Sequence, residues 1–82
     1  MRFDVLLHEL HLFKSRTAAA DAIRDGEALL DDGRVKPSHA VRAGARVTLT
    51  KPAPRTLEIL ELPRKSLSKE AARALVREIG RG

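Results

Sequence analysis

Cysteine is absent from the sequence. That excludes a disulfide framework and a thiolate zinc site, so the fold must hold without staples. Aromatic rings are almost absent too: Phe3 and Phe13 stand alone, with no tyrosine or tryptophan. A module that reads single-stranded bases by stacking needs exposed rings, so that mode is disfavoured. No apolar run approaches the ~18 residues of a membrane-crossing helix. The start carries Asp4 and Glu9 rather than the long apolar segment of a secretory signal. A cytoplasmic location is the default expectation. No internal repeat or low-complexity segment is present.

What remains is a short, basic chain. Eighty-two residues make one domain with one small core, and 43% apolar residues are enough to fold it. The net charge of +5 is modest, but its distribution is uneven. Between Gly33 and Leu57 stand six cations (Arg34, Lys36, Arg42, Arg46, Lys51, Arg55) and no acid. The acids gather instead at Asp21, Asp25, Glu27, Asp31 and Asp32. A one-signed stretch concentrates positive potential and attracts phosphate. A charge run alone is as well explained by solubility; placement on a cradle is what would favour binding.

The pattern gives a coarse order of elements. Phe3, Leu6, Leu7 and Leu10 share one helical face, with Asp4 as the expected N-cap. Ser15 reads as the N-cap of a second helix that buries Ala18, Ala19, Ala22 and Ile23 and stops at Gly26. Ala28–Leu30 reads as a strand, Asp32-Gly33 as a hairpin turn and Arg34–Lys36 as the return, ended by Pro37. A turn at Gly44 leads into a strand over Arg46–Thr50, with Val47 and Leu49 inward. Lys51–Pro54 is a connector stiffened by its prolines. A strand over Thr56–Leu62 needs a bulge between Ile59 and Leu60 to turn Leu57, Ile59, Leu60 and Leu62 to one side. A last helix from about Ser68 buries Ala72, Leu75, Val76 and Ile79 and stops at Gly80. It would carry a basic stripe of Lys69, Arg73 and Arg77.

Lys14, Ser15 and Arg16 stand where the second helix begins. Its free N–H groups and the positive end of its dipole favour an anion there, and Arg16 offers bidentate phosphate geometry. For Ser15, capping alone explains the residue well. Lys36 lies on the hairpin return, held by Pro37. If the two places face each other, they form a small cradle for a polyanion.

These segments together resemble the S4 RNA-binding domain, also described as the alpha-L motif. The resemblance rests on Met1–Asp4, Leu12–Ala19, Ala22-Ile23-Arg24, Gly26, Val35-Lys36-Pro37-Ser38 and Val41, and covers roughly residues 1 to 51. With Ala-Arg-Ala-Leu in its last helix, the chain is most similar to the stand-alone bacterial heat shock protein 15 class. The resemblance implies binding to structured RNA, ribosomal or transfer, and for that class to the large ribosomal subunit with stalled peptidyl-tRNA. It departs from the family pattern at Val5-Leu6, where Lys-Trp is common, at His11, where Arg is common, and at Leu30-Asp31-Asp32, where Val-Asn-Gly is usual. The first two changes remove cations from the side expected to face RNA.

The expected fold is thus α+β, with two N-terminal helices packed on a short antiparallel sheet, plus a C-terminal helix. Residues 1–51 form the S4-like core, and 52–82 complete the same domain. The expected RNA-binding set is Arg2, Lys14, Ser15, Arg16, Thr17, Arg34, Lys36, Pro37, Ser38 and Arg42. No cofactor, no metal and no catalytic role are expected, and the chain is expected to be monomeric. A triad from Ser38, His39 and an aspartate lacks a nucleophile elbow, and His8 with His11 make too few metal ligands. The rival readings are an S4-like protein-interaction or accessory module, and the detached RNA-binding domain of an RNA-modifying enzyme. A helix-turn-helix DNA binder fits poorly, because alanines 18 to 20 occupy the start of its recognition helix.

Overall fold

Two helices cover one face of a four-stranded antiparallel sheet in the computed structural model, which describes residues 1–51, 53–64 and 67–79. The elements are α1 (Phe3–Glu9), α2 (Arg16–Arg24), β1 (Ala28–Leu30), β2 (Arg46–Leu49), β3 (Arg55–Ile59), α3 (Lys69–Arg73) and β4 (Val76–Ile79). The strands lie in the order β1-β2-β3-β4, each antiparallel to its neighbour. Ala28, Leu30, Val47, Leu49, Leu57 and Ile59 alternate along the strands and meet Phe3, Leu6, Leu7, Leu10, Ala19, Ala22 and Ile23 from the helices in one core. Leu12 and Phe13 pack against its margin. The alanines let α2 lie close to both α1 and β1, as their number suggests.

α1 starts differently from the expectation. Arg2, not Asp4, occupies the N-cap position, extended and bridged to Ala40, and Asp4 stands inside the first turn. Its carboxylate still accepts from a helix-terminal N–H, that of Val5, at 2.7 Å. α2 is capped as expected, the Ser15 hydroxyl accepting from the Ala18 N–H at 3.0 Å, but Ala20 is buried in place of the expected Ala18, which is only half-buried. Gly26 follows the helix at φ +77°, a conformation that favours glycine.

The hairpin return is not a strand. The turn falls on Asp31-Asp32, both at positive φ (50° and 66°), the pattern of a type I′ turn, and only Leu30 and Gly33 bridge across it. After Gly33 the chain leaves β1. Arg34 reaches the C-terminal end of α2, donating to the Arg24 carbonyl at 2.5 Å. The carbonyls of Pro37 and His39 accept from the N–H groups of Asp4 and Phe3 at 3.1 and 2.9 Å. Pairing across the turn stops at Gly33, the loop beyond Lys36 is tied to α1, and β1 takes β2 as its ladder partner.

The bulge lies one residue beyond its expected place. β3 ends at Ile59, and the N–H groups of Leu60 and Glu61 then share the Leu75 carbonyl, at 2.7 and 3.3 Å. Two residues facing one acceptor make a bulge between Leu60 and Glu61. Leu62 thereby returns to the core side, while Leu60 is left 44% exposed.

The last helix is shorter than expected. Ser68 caps it, accepting from the Ala71 N–H at 3.1 Å, but it ends at Arg73. Val76–Ile79 is a strand that pairs with β3. A free sheet edge beside two β-branched residues outweighs the weak helical periodicity of this stretch. The basic stripe is broken accordingly: Arg77 lies on β4 and pairs with Glu58. Pro52 of the expected connector and Gly80, the expected helix stop, lie outside the described residues.

Candidate nucleic-acid interface

α1 begins beside α2, and between them sits Asp4, only 4% exposed. An open hollow here is lined by Asp4, Arg16, Thr17, Ala20 and Arg24. Arg16, Ala20 and Arg24 are four residues apart and so share one face of α2. The Asp4 carboxylate accepts two hydrogen bonds from Arg2, from Nε at 3.0 Å and from Nη2 at 2.9 Å. Burial pushes the Asp4 carboxyl upward. The Arg2 hydrogen bonds, the Val5 N–H and the charges of Arg2 and Arg16 outweigh it and leave the carboxyl below its ordinary value. Asp4 is therefore an anion set among cations.

The loop expected to form the second half of the cradle is attached to the same point. The Pro37 carbonyl accepts from the Asp4 N–H, and the Lys36 carbonyl accepts from the His39 N–H at 2.9 Å. The loop carrying Lys36, Pro37 and Ser38 is thus held against the start of α1, and Asp4 links it to Arg16. Lys14, Arg16, Thr17, Lys36 and Ser38 are exposed, while Ser15 and Pro37 are half-buried. Lys14, Arg16 and Lys36 have no ion-pair partner among the described residues.

Other expected residues are placed differently. Arg2 is exposed but committed to Asp4. Arg34 is committed to the end of α2, where a Cβ on Gly26 would meet its Nε at 3.3 Å. Arg42 is exposed and follows Val41, whose N–H donates to the Met1 carbonyl at 2.8 Å. The acid-free run is also less uniform in space than in sequence. Lys51 pairs with Glu27 and Arg55 with Glu78, each acid coming from outside the run.

Sequence reasoning missed Arg24 as a lining residue, although its spacing from Arg16 was the available signal; it is held by Asp21 at 3.0 Å. It also missed Asp4 as the centre of the site, which no local pattern marks. Ser38 and His39 are both exposed. His8 and His11 each face a backbone carbonyl, of Phe13 and Leu67 respectively.

A small α+β domain with a cation-lined hollow at the start of its second helix defines a class. Residues 1–47 match the S4 domain, and the chain belongs to the S4 domain family, whose members are generally RNA-binding. Among solved structures, heat shock protein 15 from Vibrio cholerae, a trimer, is similar with a TM-score of 0.91 and 28% sequence identity. The similarity covers 96% of this chain and 81% of that one. No curated protein matches the sequence.

Proposed function

We propose that this chain binds structured RNA, ribosomal or transfer, on the ribosome. By likeness to the heat shock protein 15 class, the particle is the large subunit carrying stalled peptidyl-tRNA. The observation that carries the reading is the hydrogen bond from the Asp4 N–H to the Pro37 carbonyl, which supports Lys36 and Arg16 acting on one polyanion. Residues 52–82 act as part of the same domain, since Leu57, Ile59 and Ala72 share its core. The role is binding rather than catalysis, and the place of action is the cytoplasm.

The protein acts as a monomer in this reading, unlike the trimeric relative. Met1 and Leu60 are the large apolar side chains left exposed among the described residues, which supports a surface without an obligate partner. Light scattering in solution is expected to give one chain mass.

Gradient fractionation of ribosomes with the added protein tests the function. It is expected in the large-subunit fractions, most strongly when peptidyl-tRNA is retained. With roughly four to six phosphate contacts, log affinity falls against log salt with a slope of about −3 to −5. A flat salt dependence, or equal binding to heparin, contradicts the reading.

A further inference from the structure

The other end of α1 adjoins a second group of cations, Arg55, Lys69 and Arg73. His11, Arg55, Lys69 and Arg73 surround a hollow whose apolar lining includes Leu57 and Ala72. His11 follows α1, Arg55 opens β3, and Lys69 and Arg73 lie one turn apart on α3. His11, Lys69 and Arg73 are exposed and without an ion pair among the described residues, whereas Arg55 is partly satisfied by Glu78 at 3.3 Å. His11 is fixed in place by backbone: its Nε2 lies 2.5 Å from the Leu67 carbonyl, and its φ is +61°. A non-glycine residue keeps that conformation only where its surroundings hold it.

We propose that Lys69 and Arg73, beside His11, form a second phosphate site, which takes a backbone phosphodiester of the same RNA that occupies the cradle. The inference rests on the RNA-binding reading above. Arg73 supplies a planar fork for two phosphate oxygens and Lys69 a compact charge beside it. Two residues separate His11 from Lys14, so at most ~11 Å of chain joins the second site to the cradle. Lys14 thus stands between His11 and Arg16, and the cations form a track rather than two isolated spots. A nucleic acid, with charges repeating every few ångströms, satisfies such a track along its length. An acidic protein segment has no comparable regular spacing.

The test uses the full chain and a labelled hairpin of ribosomal RNA across a salt series. Lys69→Gln with Arg73→Gln removes two contacts and is expected to flatten the log–log salt slope by about 1.4–1.8, with roughly tenfold weaker binding at low salt. Arg16→Gln with Lys36→Gln serves as the cradle reference. Unchanged circular dichroism is expected for both. If the α3 pair disturbs the fold, the single Lys69→Gln variant is expected to change the slope by about 0.7–0.9. Wild-type slope and affinity in the α3 variant, with binding lost in the cradle variant, overturns the second site and leaves the RNA-binding reading standing. No salt-dependent binding by the wild-type chain removes both.

Discussion

Asp4 holds Arg2 by a two-point ion pair, at 2.9 and 3.0 Å, at the place where the loop carrying Lys36 is hydrogen-bonded to α1. Asp4 thereby touches three parts of the proposed interface: its carboxylate binds Arg2 and faces Arg16 in a shared hollow, and its backbone N–H donates to the Pro37 carbonyl beside Lys36. It also reduces the positive potential there. Stability and RNA affinity make opposite demands on this residue.

The stability contribution has a defined pH window. Asp4 has a lowered carboxyl pKa, so its contribution is fully present above the ordinary value of 3.8. It is lost as the pH falls below that, through the lowered value. Melting curves of the wild type and Asp4→Asn are expected to differ at neutral pH and converge in acid. Curves that stay parallel down to the acid limit contradict the ion pair.

The cost to binding is expected to be visible in the same variant. Asp4→Asn keeps the shape, releases Arg2 and leaves Arg16 unopposed. The RNA salt slope is then expected to steepen by up to about 0.9, the value of one more phosphate contact. Weaker binding by folded Asp4→Asn would mean that Asp4 positions Arg2 for contact rather than withholding it.

Ser15 separates capping from contact. Ser15→Ala loses the bond to the Ala18 N–H and is expected to cost about 0.5–2 kcal/mol of stability. Ser15→Asp restores a cap but sets an anion beside Lys14 and Arg16. Chemical denaturation is expected to show near wild-type stability for Ser15→Asp, and filter binding is expected to show weaker RNA binding. Equal RNA binding by Ser15→Asp and the wild type would remove the start of α2 from the interface.

Much of this was legible where the signal is local. The Phe3/Leu6/Leu7/Leu10 face, the Ser15 cap, Gly26 and the Val47/Leu49 alternation each depend on residues a few positions apart, and each appears in the structure. The misreadings involve distant partners. Arg34–Lys36 resembles a return strand until Arg34 reaches the end of α2 and the loop beyond is tied to α1. Val76–Ile79 resembles helix until the free edge of β3 is in place. The site divides in the same way. Lys14, Ser15 and Arg16 could be read from the start of a helix, but Asp4 facing Arg16 and holding Arg2 required the fold.

Reversal of Arg16, which faces Asp4, together with Lys36, the neighbour of Pro37, tests the account most directly. Arg16→Glu with Lys36→Glu removes two attractions and adds two repulsions, on exposed side chains outside the core. The matched control is Lys51→Glu with Arg77→Glu, two exposed cations already paired with Glu27 and Glu58. Ribosome co-sedimentation is measured for the wild type and both variants after circular dichroism has established that all three are folded. The account predicts that the cradle variant stays in the supernatant while the control pellets nearly as well as the wild type. A folded cradle variant that pellets with the ribosome as the wild type does would contradict it.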